Sequence, residues 1–266
     1  MKKLVIIILI SLFAIHLSSK EEPYSIHDKK ISILYICDIN GNFDFSTDGR
    51  EGLATVSELK RQESEKIFSQ KGGVLLLSRG NFFNSKNGDI SFGLMKKAKF
   101  DAVFVNDSEL EFLEKNPALL KIEPPVIAER ENLLNLDTEK KVNLSGINFK
   151  ISSYLINKLP IHAKEKIHLN LVFPDPNNIQ DLSSIKSEIP VIFFLPEEKS
   201  SAYSFVKNVY TAECPSSKGV VGKIELTFRK EELIRQSQEF IPLNTEDTNR
   251  DWISPDGEVL KELQRN

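Results

Sequence analysis

Three short apolar runs, each ending abruptly in polar residues, constrain this chain more than anything else in it. The first is Ile31, Ile33, Leu34, Tyr35, Ile36 and Cys37, which stops at Asp38-Ile39-Asn40-Gly41-Asn42. The second, Val74 to Leu77, stops at Ser78-Arg79-Gly80-Asn81, and the third, Ala102 to Val105, at Asn106-Asp107-Ser108-Glu109. Runs of this length, apolar on both faces, read as inner strands of a sheet covered on both sides. Between the first two, Leu53, Val56, Leu59 and Ile67 recur on one face of a helix from about Leu53 to Ser69, closed by Gly72-Gly73. Ile90, Leu94 and Ala98 mark a second helix; Leu110 and Leu113 mark a third that ends before Pro117. Strand and helix in alternation imply a parallel sheet with right-handed crossovers. Ligand sites in such sheets form beyond the carboxyl ends of the strands, where these polar residues fall.

The second half has a different texture. Val126 to Ala128 follows Pro124-Pro125 as a fourth short strand. Val142 to Leu144, the turn Ser145-Gly146, and Asn148 to Leu155 read as a hairpin. Further strands are expected at His168 to Phe173, Val191 to Leu195, Val206 to Thr211 and Val220 to Phe228. A strand-rich half set against a βαβ half suggests two packed sheets with helices outside. The expected organisation is a domain over 29–230 and a polar C-terminal tail over 231–266. Asn244 to Arg250 reads as an exposed linker in that tail, and Leu260 and Leu263 allow at most one short helix.

Residues 1–19 form a segment of their own. Lys2 and Lys3 precede an apolar run from Leu4 to Ala14, interrupted only by Ser11 and too short for a comfortable membrane span. This is the layout of a secretory signal peptide, with an uncleaved signal anchor as the alternative. The expected location is periplasmic or extracellular, with membrane contact only through an uncleaved signal. Without that segment, 33 basic residues (35 less Lys2 and Lys3) face 38 acidic ones, a net charge of −5. A mildly acidic chain with scattered lysines lacks the electrostatic footprint of a nucleic-acid binder. Cys37 and Cys214 are the two cysteines. Because Cys37 lies within an expected buried strand, they are read as separate, inert thiols, although export permits a disulfide.

The three strand ends, in this order, resemble those of the calcineurin-like metallophosphoesterases, and more closely the N-terminal domain of secreted 5′-nucleotidases. That family carries D-x-H after its first strand, then L-L-D-A-G-D-F-F, then D-A-V-x-x-G-N-H-E. The corresponding stretches here are Ile33 to Gly41, Leu75 to Phe83 and Asp101 to Glu109. Pro125 to Ala128 resembles the family's P-V-L-S-A strand, and Gly219 to Phe228 its closing strand. The resemblance implies a four-layer α/β/β/α sandwich with mixed sheets. It also implies a pair of divalent metals, which needs a bridging carboxylate and several imidazoles.

At the matching positions much of that set is replaced. Asp38 is kept; Asn40 stands for a histidine ligand, Asn81 for the bridging aspartate, Asp107 for a metal-binding asparagine, and Ser108 for the histidine beside the leaving group. Ser108 and Glu109 are thus vestigial catalytic positions. The later histidine positions are taken by Pro174-Asp175-Pro176 and Leu195-Pro196-Glu197-Glu198, while His27, His162 and His168 match no ligand position. A neutral amide cannot offset the repulsion of two dications as a carboxylate does. Catalytic degeneracy and a binding or scaffold role follow, with no cofactor expected and either a protein or a small phosphorylated ligand as partner.

Alternatives remain open. Asp38, Asn40, Asn81, Asp107 and Asp175 could hold one divalent cation (Mg, Mn or Ca) and support phosphate-ester hydrolysis. Their alternative role is to satisfy their own loop backbones. Arg79, where the family has a small residue, is either a counter-charge beside Asp38 and Asp107 or a solvated loop arginine. Neither a phosphate-loop pattern nor a nucleophile elbow is present.

Overall fold

The computed structural model describes residues 28–37, 52–82, 88–122, 125–128, 133–154, 166–174, 185, 187–196, 208–215, 219–244 and 252–264. The alternation of strands and helices is realised as β1 (Lys29–Cys37), α1 (Leu53–Phe68), β2 (Gly73–Arg79), α2 (Gly88–Lys97), β3 (Ala102–Val105), α3 (Asp107–Lys115) and β4 (Val126–Ala128). The strand-rich half follows as β5 (Glu139–Leu144), β6 (Ile147–Tyr154), β7 (Leu169–Pro174), β8 (Val191–Pro196), β9 (Val209–Cys214), β10 (Val220–Arg229) and β11 (Glu232–Pro242), then α4 (Gly257–Gln264).

The strands form two mixed sheets, one ordered β11-β10-β1-β2-β3-β4 and the other β5-β6-β7-β8-β9. β1 to β4 are parallel, and β10 and β11 are antiparallel additions beyond β1. In the second sheet β6 to β9 are parallel and β5 is antiparallel.

Because side chains alternate along a strand, each run of β1 and β2 serves two cores. Ile31, Ile33, Tyr35, Leu75 and Leu77 face the second sheet, meeting Phe149, Phe173 and Phe194. Leu34, Ile36, Val74 and Leu76 face the helices, meeting Leu53, Val56, Leu59, Leu94 and Val259. The inter-sheet core is aromatic: Phe173 and Phe194 stack at 4.1 Å between ring centroids, and Tyr35 meets Phe194 at 4.9 Å, near edge-on. Three layers are thus described: helices, first sheet and second sheet. The fourth expected layer, the signal segment and the linker residues 245–250 lie outside the described residues.

Two expectations are corrected in the tail. The polar stretch after Arg229 contains β11, eleven residues paired to β10 along nearly its whole length. Its polar character follows from its place at the sheet's edge, where seven of its residues are exposed. Asn244, expected in an exposed linker, is buried and exchanges two hydrogen bonds with the backbone of Ile253, at 2.7 and 2.8 Å. That clasp precedes α4, whose first turn is capped by Asp256.

The cysteines correct a third. Cys37 and Cys214 are joined in a disulfide between the last residues of β1 and β9. Burial in a strand does not isolate a thiol when the facing strand of the other sheet ends at the same level, here with Cα atoms 5.9 Å apart.

A buried lysine lies on the helix side of the first sheet. Lys223 is 3% exposed and sits 2.9 Å from Glu63 of α1 and 3.2 Å from Glu239 of β11. Burial alone pushes its ammonium pKa down, but the two carboxylates outweigh that and hold it above the ordinary lysine value.

Candidate functional site

The carboxyl ends of β2 and β3 meet. β2 runs into Gly80 and Asn81, both with positive φ (49° each), a conformation that glycine and asparagine tolerate best. The Gly80 N–H donates to the Phe104 carbonyl of β3 at 2.9 Å. This turn presents Asn81 to the start of α3. There the Asn106 side-chain amide donates to Asn81 Oδ1 at 2.8 Å.

Glu109, only 2% exposed, turns its Oε2 back to accept the backbone N–H groups of Asn81 (3.1 Å) and Asn106 (3.0 Å). Asn106 in turn accepts from the Glu109 N–H (3.0 Å) and from Ser108 Oγ (2.7 Å) through Oδ1. Asn106 and Glu109 therefore form a capping box, extended across the cleft to Asn81. Glu109, expected as a vestigial catalytic position, works here as a fastener of two loop backbones. Asn106 was not among the expected site residues, although the N-x-x-E spacing at 106–109 carries the capping signal. Ser108 and Asp107 are exposed in the first turn of α3.

Arg79 is 4% exposed, so the solvated-loop reading is overturned. As the last residue of β2, it faces the second sheet and donates from Nη2 to the Pro174 carbonyl at the end of β7, at 2.9 Å. Asp38, Asn40 and Asp175 lie outside the described residues, so its counter-charge role toward Asp38 is not on view.

Other bonds cross between the sheets at this end. Tyr35 OH donates to the Glu213 carbonyl of β9 (2.6 Å) and accepts from Gln238 of β11 (2.7 Å). Burial first, and the nearby Glu213 charge second, push that phenol's pKa well up, with the Gln238 bond offsetting only part. Ser153 Oγ donates to the Ala128 carbonyl at the end of β4 (2.7 Å). With the disulfide and the Gln238–Glu213 bonds, these links tie the sheets near the carboxyl ends of their parallel strands.

His168 immediately precedes β7, at the opposite end of that strand from Pro174. Its Nδ1 accepts from the Asn148 N–H at 2.8 Å and its Nε2 lies 3.3 Å from Glu231, a structural placement.

This arrangement matches known architectures closely. The fold is that of the calcineurin-like phosphoesterases. The chain superimposes on the calcineurin-like phosphoesterase YfkN from Bacillus subtilis with a TM-score of 0.64 at 13% identity, covering 90% of this chain and 96% of that one. It is equally similar to the sulfate thiohydrolase SoxB from Thermus thermophilus, solved with glycerol (TM-score 0.64, 10% identity, 92% of this chain). A 5′-nucleotidase precursor from Thermus thermophilus gives a TM-score of 0.60 at 14% identity over 89% of this chain. The chain spans 60% of the SoxB chain and 58% of that nucleotidase. No known family's sequence profile and no curated protein sequence matches it.

The donor set tests whether the described residues suit the metal pair that the sequence resemblance implies. Asn81, which the sequence resemblance sets at the bridging position, is a neutral amide whose oxygen already accepts a hydrogen bond, and Oε2 of the buried Glu109 accepts two backbone N–H groups. Among the described residues no imidazole reaches this end of the sheets and no group of three or more His, Cys, Asp or Glu side chains converges. These residues do not fit a two-metal centre.

Proposed function

We propose that this chain is a catalytically degenerate phosphoesterase-fold protein, exported, with a binding or scaffold role in place of hydrolysis. The observation that carries the reading is the Asn81–Asn106–Glu109 network. It consumes, within the protein, the polar groups that a metal-bridging position would have to present outward. The inter-sheet disulfide supports export, because such bonds persist in oxidising compartments.

The deciding experiment measures metal content of the purified protein together with hydrolysis of a generic aryl phosphate in Mn²⁺, Zn²⁺ or Mg²⁺. The expected result is no turnover and a melting temperature indifferent to chelator. Metal-dependent phosphate release abolished by Asp38→Ala would replace this reading with a working phosphoesterase. Two transition-metal ions bound per chain would overturn it as well.

A further inference from the structure

Among the described residues β11 is the outermost strand of the six-stranded sheet, so one of its backbone edges faces away from β10. Glu232, Ile234, Arg235 and every residue from Ser237 to Phe240 are exposed. Two of these are large and apolar: Ile234 at 45% and Phe240 at 40% exposure. A long exposed edge invites another strand, and proteins usually blunt such edges with prolines, bulges or lysines. Here Pro242 stands at one end and a register shift between Thr227 and Phe228 at the other, leaving the stretch from Arg235 to Phe240 regular between them.

That stretch is complementary to itself. With a second copy running antiparallel and Ser237 opposite Ser237, Arg235 meets Glu239 and Gln236 meets Gln238, each pair occurring twice. Opposite-charge pairs are among those that stabilise antiparallel neighbours. A slip of one residue sets Arg235 against Gln238 or Phe240 and loses both charge pairs. Arg235, Ser237 and Glu239 alternate onto one face, so the two charge pairs flank the axis on the same side. Glu239 also contacts Lys223 through Oε1 while its side chain stays half exposed, so a second cation can approach it.

We propose that β11 pairs with β11 of a second copy about a two-fold axis at Ser237, joining two six-stranded sheets into one of twelve strands. Such an isologous contact closes on itself and stops at the dimer. The inference is independent of whether the chain hydrolyses anything.

Sedimentation of the protein over a concentration series tests it. A reversible dimer is expected, and Arg235→Glu should weaken it by about tenfold or more, since each change acts at two symmetry-related pairs. The charge swap R235E/E239R should restore dimerisation, and Ser237→Cys should give a disulfide-linked dimer under oxidation. Because Glu239 touches Lys223, Ser237→Pro serves as a second disruptor away from the charges, with melting curves confirming that each variant folds. A protein monomeric to about 100 µM overturns the proposal. So does a dimer indifferent to both R235E and S237P, which would place the contact elsewhere, or a swap that fails to restore pairing.

Discussion

The two ends of the sandwich are held together by different means. At the carboxyl end of the parallel strands the links are covalent or buried and polar: Cys37–Cys214, Arg79 to Pro174, Tyr35 to Glu213, and Ser153 to Ala128. At the amino end the links lie nearer the surface: Lys140 Nζ donates to the Asp101 carbonyl at 2.6 Å, and Glu231 faces Lys166 and His168. The sheets also approach closely there, since a Cβ on Gly73 would meet the Leu144 side chain at 2.5 Å. Hydrogen bonds at this end reach in from the hairpin surface, as with Ser145 Oγ to the Gly72 carbonyl (3.0 Å). The contrast teaches that polarity at strand ends is no sign of a ligand in itself. Here the end where a site would form is the more heavily cross-braced.

The largest effect should come from cutting the covalent brace. The double variant C37S/C214S, or reduction of the protein, should cost roughly 3–5 kcal/mol in denaturant unfolding, since the bond closes a loop of 177 residues. An unfolding midpoint unchanged by reductant would break the comparison at its strongest point. At the other end, Gly72→Ala should cost about 3 kcal/mol, because the new methyl meets main chain that cannot move aside. If it is tolerated within about 0.5 kcal/mol, close approach to Lys30 and Ile67 is not what seats the start of β2 against β1 and α1.

Smaller effects sharpen the picture at the candidate site. Glu109→Ala should cost about 2 kcal/mol by leaving two backbone N–H groups without their acceptor. Amide exchange at Asn81 and Asn106 should speed up together; exchange at Asn106 alone would separate the cap from the cleft. Smallest is Asp256→Asn, at about 0.5 kcal/mol, since asparagine keeps the cap's acceptor and loses only the charge beside the helix N-terminus. Partial burial pushes the Asp256 pKa up, but the Ser57 hydroxyl and the N–H groups of Glu258 and Val259 outweigh it and hold the pKa below the ordinary aspartate value. Its contribution is therefore complete above the ordinary range and fades as the pH falls through the lowered pKa. The stability gap between the native protein and the variant should shrink below about pH 4, measured by urea unfolding across pH.

Much of the first sheet was legible because its strands are buried on both faces. Ala102–Val105 and Val126–Ala128 were read at their observed limits, and the Leu53 helix to within one residue. β11 was not, because an edge strand needs no apolar face and its sequence resembles that of a solvated tail. The disulfide was missed for a related reason: an apolar context argues for burial of Cys37 and says nothing of what lies across the seam. At the site, the reading of Asn81 and Ser108 as replacements rests on the family resemblance. The inward-turned Glu109 could not, since its role depends on two backbones brought together by the fold. Arg79 is the instructive case. A charged residue at a strand end looks solvated in sequence, yet it lies buried with its guanidinium on a main-chain carbonyl.

The position of β1 has a consequence for how the chain comes together. It is the first strand in the sequence, yet one flank pairs with β2 and the other with β10, so that Lys29 lies opposite Phe228. A nascent chain must therefore hold this buried strand half-paired until almost the entire domain has been synthesised. Such distant pairing favours slow folding and leaves that edge exposed in the interval. Anything that covers that edge of β1 during the interval protects the chain from pairing with a wrong strand.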